Sequence, residues 1–419
     1  MQIKRLIARS RRLLPGLGLM LVTVVLLVSN LPERLDLVLY DSLLRLQYRT
    51  PNKQLIIIAI DEPSLRKLGR WPWSRRIHAQ LLDKLTATGV KAVGFDILFA
   101  EPDTRDPEAD RQFAQAIARN GRVVLAVAPG YGEPGNLISE ILPIPQFAEA
   151  AAALGHVDFE LDVDGVSRSV FLKAGMGDPH WPAFGLALAE LANPGYRPLP
   201  DQARNRQARQ DELQTGWVRS NLILTPFVGP IGYFKQVSYI DVMAGKVPPS
   251  LLHDRIVLIG STASGLGDAL STPVSWDHRR MPGVEMNAHV LNALLDDSQI
   301  LPLSPQARLL LSLGFMLALY LTLLLVPARF SLFVFVFGVA SVLLTSIVLL
   351  IGFRLWFPPV VLLLVLGFSY PLWSWYQLQS ASRAIKRLEH RIRHQARHDP
   401  VTLPVNDLML TRRFLLRLV

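Results

Sequence analysis

The chain has 419 residues, half of them hydrophobic, with no cysteine and a formal net charge of +10. The missing cysteine excludes disulfide staples, thiol nucleophiles and Cys-based metal sites. The charge is segregated: residues 1–12 hold five basic groups and no acid, residues 31–307 hold 27 basic and 31 acidic groups, and residues 377–419 hold nine basic and three acidic groups, which follows membrane topology and argues against a nucleic-acid partner.

The basic flank (1–12: Lys4, Arg5, Arg9, Arg11, Arg12) leads into an uncharged run over 13–30, LLPGLGLMLVTVVLLVSN. That approaches the ~20 apolar residues of a spanning helix. The competing reading is a cleaved signal peptide, but Leu27-Val28-Ser29 is not an Ala-x-Ala site. Residues 31–307 then form one external domain. Leu35, Val38, Leu39, Ser42, Leu43 and Leu46 fall at helical spacing and predict a helix with one apolar face. QLIIIAIDEPS reads as a buried strand and a turn, SRRIHAQLLDKLTATG as an amphipathic helix ended by Gly89, and VKAVGFDILFAEPD and GRVVLAVA as two more strands. DRIVLIGSTASGLGD is a further strand running into a Gly/Ser-rich turn, and GVEMNAHVLNALLDD is a closing helix. YRPLPDQARNRQARQDELQTG, without periodicity, reads as an exposed insertion. Buried apolar runs alternating with helices predict an α/β domain with a mostly parallel sheet and flanking helices.

Three further uncharged stretches predict spans over 309–326, 330–351 and 355–375. Their short loops, around Arg329 and Arg354, make them antiparallel neighbours. Basic flanks accumulate on the cytoplasmic side. Placing both basic ends inside requires four spans, with 31–307 outside; only Arg354 opposes this. Residues 377–397 predict a cytoplasmic coiled-coil linker. Leu378, Ala381, Ile385, Leu388 and Ile392 form a heptad seam suited to a homodimer. The alternative is an amphipathic helix lying on anionic lipid. His390, His394 and His398 recur every four residues but fall off the seam and read as a solvated surface, so no metal is expected.

Taken together, IIIAIDEPSL, RWPWSR, AVGFDILFAEPD, LGHVDFELDVDGVSRSV, IVLIGSTASGLGD and PGVEMNAHVLNALL resemble the extracytoplasmic sensing domain called CHASE, type 2. The resemblance implies a bacterial receptor of the cytoplasmic membrane, with one span before the sensor and three after it. It implies an unknown small-molecule or peptide ligand, lipid contact and a cytoplasmic output, but no cofactor and no nucleic acid. HDPVTLP, with His398, Asp399, Pro400, Thr402, Leu403 and Pro404, resembles the start of a GGDEF-type diguanylate cyclase domain. It lacks the glycine after Thr402. Residues 398–419 are therefore expected to be a truncated remnant of an output domain without catalysis, leaving a separate output protein to act. The alternatives are the N-terminal portion of a membrane diguanylate cyclase whose catalytic domain is missing or frameshifted, and a non-catalytic scaffold for another receptor.

The candidate ligand residues follow the sheet. Ligands of parallel α/β sheets bind beyond the carboxyl ends of the strands. That places Asp61, Glu62, Asp96 and Asp103 to receive a cation or an amine. The competing reading makes Asp61 and Asp103 turn caps and Asp96 a backbone acceptor. Ser261, Thr262 and Asp268 lie in GSTASGLGD, which reads either as a nest of N–H groups for an anion or as a plain turn. It lacks the Gly-Lys-Ser/Thr of a nucleotide loop. DVDGVSR (162–168) lacks calcium-loop spacing and predicts a hairpin turn on Asp164-Gly165.

Overall fold

The computed structural model describes residues 2–29, 32–45, 49–130, 139–196, 216–275 and 279–398. The expected remnant beyond His398 and most of the polar insertion at 196–216 lie outside the described residues. In chain order the helices are α1 (Gln2–Ser29), α2 (Glu33–Arg45), α3 (Glu62–Leu68), α4 (Arg75–Thr88), α5 (Pro107–Asn120), α6 (Pro145–Ala150), α7 (Phe184–Ala192), α8 (Tyr239–Met243), α9 (Pro249–Leu252), α10 (Gly283–Leu295), α11 (Pro305–Leu325), α12 (Ser331–Phe353) and α13 (Val360–His398). The strands are β1 (Leu55–Ile60), β2 (Ala92–Asp96), β3 (Val123–Gly130), β4 (Ser139–Ile141), β5 (Ala153–His156), β6 (Ser169–Met176), β7 (Trp181–Pro182), β8 (Trp217–Leu224), β9 (Gln236–Ser238), β10 (Ile256–Ser261), β11 (Ala269–Leu270), β12 (Met281–Pro282), β13 (Leu301–Pro302) and β14 (Leu355–Trp356). They divide into two compact units, one built on Ser29–Leu311 with Leu343–Val360, the other on Met1–Val28, Ser312–Val342 and Val361–Val419.

The first unit is the expected α/β domain. Its sheet runs β5-β3-β2-β10-β1-β9 with every pairing parallel, and β4 lies antiparallel along the end of β3. Helices cover both faces, which is why its strands read as unbroken apolar runs. Leu55, Ile57, Val124, Ile256 and Leu258 pack with α7 and α10. Ile56, Ile58, Val93, Phe95, Leu125 and Ile259 pack with α4 and α5 on the other face. Each such side chain stabilises the fold by roughly 1.5–3 kcal/mol. At β5 the backbone meets α7 directly: a Cβ on Gly155 would sit 2.7 Å from Phe184 Cα.

A three-stranded antiparallel sheet, β7-β6-β8, is an addition the sequence did not predict. The predicted turn precedes it: Gly165 donates to Asp162 O at 2.8 Å and adopts φ 75°. The face expected for α2 is corrected. Leu35, Val38 and Ser42 are exposed, and the buried stripe is Asp36, Tyr40 and Leu44. Polar chemistry selects that face. Asp36 accepts a 2.9 Å bond from Val360 N, and Tyr40 meets Trp356 edge-on at 4.9 Å. Leu46 lies outside the described residues.

Among the described residues three helices are long and apolar enough to cross a membrane, α11, α12 and the first part of α13; a fourth span results if Gly16–Ser29 and Glu33–Arg45 count as one. Within the second unit α1 approaches α11 closely: a Cβ on Gly16 would lie 2.7 Å from Tyr320 Cε1, the small-residue contact typical of membrane helices. Phe335 of α12 stacks on Tyr370 of α13 at 4.9 Å. The last helix begins at Val360 rather than near 355, because Leu355 and Trp356 pair with β13 and Pro358-Pro359 delay the helix. The same helix continues through the seam without a break. Leu378, Ala381, Ile385, Leu388 and Ile392 are all exposed on it, as is His390; the side chains of His394 and His398 lie outside the described residues.

Candidate functional site

Parallel strands deliver their carboxyl ends to one edge of the sheet, so Asp61, Asp96 and Ser261 close β1, β2 and β10 side by side. Asp61 caps α3, its Oδ1 accepting from Ser64 N at 3.0 Å, from Ser64 Oγ and from Ser238 Oγ at 2.9 Å. Glu62 is exposed in the first turn of α3. Asp103 caps the turn before α5, accepting from Arg105 N and Asp106 N at 3.1 Å each. These three therefore do not converge on one point.

Asp96 is different. It is brought beside Asp268 and Asn287. Burial pushes its carboxyl up to about 6; the Asn287 amide opposes that rise and the Asp268 charge adds to it. Glycines open the space around it. A Cβ on Gly260 would lie 3.2 Å from Asp96 Cβ, and one on Gly283 would lie 3.5 Å from Asp96 Oδ2. Gly283 N also donates to Asp268 O at 3.0 Å, tying the loop to the start of α10. Ser261 Oγ is shielded from solvent without a hydrogen-bond partner. Of the two readings of GSTASGLGD, the start of the loop follows the turn. Thr262 N and Ala263 N both donate to Ile60 O, so those amides already have an acceptor. What remains is the half-buried Asp96 carboxylate beside the exposed Asp268 and the Asn287 amide, suited to a proton, a cation or an amine. Among the described residues no group of three or more His, Cys, Asp or Glu side chains is arranged to hold a metal.

A second polar centre lies in the same unit. Arg168 is 2% exposed and uses all five guanidinium N–H groups. Nε and Nη2 reach Asp41 at 2.7 and 2.8 Å, Nη1 reaches Asp162 at 2.9 Å, and Nη1 and Nη2 reach Asp164 at 2.9 and 2.8 Å. Burial works against this charge, but the three carboxylates outweigh it and hold the guanidinium pKa above its usual value. Asp164 is held below its ordinary range by Arg168, whereas burial keeps Asp162 above it. The segment after Asp268 joins the two centres. Ser167 N donates to Ser271 O at 2.7 Å, and Arg45 Nε of α2 donates to Pro273 O at 3.1 Å.

Sequence reasoning missed Asn287, Arg168 and Asp41. The signal for Asn287 was present: Glu285, Asn287, His289 and Asn292 are polar residues buried along the otherwise apolar helix α10. Glu285 accepts from Gly232 N at 2.9 Å and from the Gln236 amide, and burial raises its pKa. His289 is pushed down to about 3 by burial; it is neutral, and Nδ1 accepts from Val228 N at 3.3 Å. Arg168 gave no periodic signal, because its three partners come from a helix and a turn.

A family model described as the CHASE2 domain matches residues 18–326. The match does not reach the stretch after His398. No curated protein and no solved structure matches the chain.

Proposed function

The chain belongs to the CHASE2 domain family, and from that membership we propose a sensor of the bacterial inner membrane whose external domain takes a ligand at the carboxyl edge of its sheet. Asp96, Asp268 and Asn287 form the receiving group. Its occupant is a small cation or an amine, and the signal passes through the membrane helices to a cytoplasmic output. Both termini are cytoplasmic, residues 31–307 are periplasmic, and the spans lie at 13–30, 309–326, 330–351 and the apolar part of α13. Two copies pair through the seam from Leu378 to Ile392 and present their tails to a separate output protein.

The observation that carries this reading is the segment Ala269–Ser275. It begins next to Asp268 and is hydrogen-bonded both to the neighbour of Arg168 and to Arg45. Arg168 in turn grips Asp41 of α2, the helix that follows the first span in the chain. A change in charge or position at Asp268 therefore acts on α2 through two short polar links. Neither link relies on a soft apolar contact that could slip.

Hydrogen exchange tests the coupling. In the full chain in lipid nanodiscs, Asp268→Asn should change deuterium uptake over residues 33–45, whereas replacing the half-exposed Glu108 of α5 by Gln should not. Unchanged uptake in Asp268→Asn would remove the proposed path. Alkaline phosphatase fused after residue 200 should be active and fused after residue 400 inactive; the opposite pattern would overturn the topology.

A further inference from the structure

The opposite, amino-terminal edge of the sheet carries a feature the sensor reading does not use. Strands β10, β1 and β9 are neighbours, and each is preceded by a cation: Arg255 directly before β10, Lys53 two residues before β1, Lys235 directly before β9. Parallel strands lie about 4.8 Å apart, so this topology brings the three charges to one mouth roughly 10 Å wide. They line an open cleft of about 660 Å³ together with Asn52, Tyr233 and Gln236.

Three properties separate this cleft from an ordinary solvated face. No carboxylate is among its lining residues, and among the described residues none of the three cations has an ion-pair partner. Arg255 is held in place, its Nη1 donating to Lys53 O at 2.7 Å, while its Nε is shielded from solvent and has no acceptor. Held this way, the guanidinium is oriented in advance and keeps N–H capacity beyond the Lys53 bond for an acceptor in the cleft. The aromatic ring of Tyr233, 45% exposed, stands beside the charges and offers an apolar wall.

We infer that this cleft binds an anion bearing phosphate or carboxylate groups, at a site separate from the carboxyl edge. Arg255 provides the oriented donor, and Lys53 and Lys235 provide charge that steers and neutralises. The same chemistry is offered by a free anion and by the headgroup of an anionic lipid, and the test separates the two.

The full chain is placed in phosphatidylcholine nanodiscs and melted by tryptophan fluorescence while sodium phosphate or sodium citrate is titrated at constant ionic strength. A bound anion raises the melting temperature saturably. The half-saturating concentration should increase at least tenfold in Lys53→Gln/Lys235→Gln. Both lysines are exposed, so the substitutions leave the fold intact. In a second arm, phosphatidylglycerol replaces part of the phosphatidylcholine. If the headgroup is the natural anion, that replacement raises the wild-type melting temperature, spares the double variant and blunts the titration with free anions. A rise shared equally by wild type and double variant is the general stabilisation that excluded salts give any protein, and it would overturn the inference. So would the absence of a saturable rise with phosphate, citrate and phosphatidylglycerol alike.

Discussion

Replacing Arg168 by Met isolates the polar centre that grips α2. The side chain is 2% exposed, while Asp41, Asp162 and Asp164 are 15%, 19% and 28% exposed. Methionine fills similar volume but removes five charge-assisted hydrogen bonds and leaves three carboxylates facing one another. Removing one partner of a buried ion pair costs about 3–5 kcal/mol, chiefly because the remaining charge stays desolvated. Here the stranded groups keep some access to water, so the lower half of that range is expected. For a domain of this size the melting temperature should fall by roughly 6–15 °C. The pH dependence gives a sharper check. In the wild type Arg168 depresses Asp164, and that stabilisation is present above the ordinary carboxylate range and lost as pH falls through the depressed value. In the variant, mutual repulsion raises the carboxylate pKa values, so the deficit is full near neutrality and shrinks as pH falls from about 6 to 4. The gap between the two proteins should therefore narrow on acidification. Full-length protein in nanodiscs, melted by tryptophan fluorescence at several pH values, supplies both readouts. A gap below about 1 kcal/mol, or one that widens in acid, would refute the reasoning.

Asp96 keeps its proton to about 6 in the fold against 3.8 as the ordinary value, so its burial destabilises the domain above pH 6 and not below pH 4. Asp96→Asn should flatten the fall in stability between those limits, as followed by melting temperature against pH. Gly155→Ala drives a methyl group into the backbone of α7 and should destabilise by about 1–3 kcal/mol in denaturant unfolding, more than a surface Gly→Ala change at Gly195. In isolated membranes, a cysteine placed at Leu378 should crosslink two copies. Adding Ile385→Asp, which costs ~2–4 kcal/mol at a paired seam, should lower the yield, and Glu389→Gln should not; equal yields would favour the membrane-surface helix.

The α/β sheet was legible because covering both faces of a parallel sheet leaves the clearest sequence trace, runs such as LIIIAI and IVLIGS. Helix α4 was legible through its amphipathic pattern and Gly89, which ends it as expected, while Ser74 caps its start. Helix α7 was not: FGLALAELA is buried on nearly every side and has no polar face to set a period. The β7-β6-β8 sheet was hidden because residues 197–215 separate β6 and β7 from β8 in the chain. The inward face of α2 was misread because hydrophobic periodicity favours Leu35 and Val38. The fold spends that face instead on Asp36 and Tyr40, whose partners lie more than 300 residues away. At the candidate site, strand-end logic singled out Asp96, whereas Asp268 entered as the last residue of the Gly/Ser-rich turn. Asn287, which bonds Asp96, was passed over, because its helix was read only as a closing element and its buried polar residues were not weighed.

The placement of charge along α2 bears on how a sensor of this design transmits. Asp36 and Asp41 are five residues apart, about 7.5 Å along the helix axis. They are held by different structures, Asp36 by the backbone N–H of Val360 at the start of α13 and Asp41 by Arg168. A helix fastened at one height can pivot or slide about that point, and motion applied to it is dissipated in rotation. A helix fastened at two heights by directional bonds moves as a rod with the segments that hold it. Apolar side chains could have buried the same area at less desolvation cost, but they would not fix axial position, since one leucine can exchange for the next along a groove. The two carboxylates thus convert α2 from a packed helix into a positioned one. A displacement of the Ala269–Ser275 segment would then move α2 as a whole, and Asp36→Asn and Asp41→Asn should each reduce the effect of Asp268→Asn on deuterium uptake over residues 33–45 even where stability is retained.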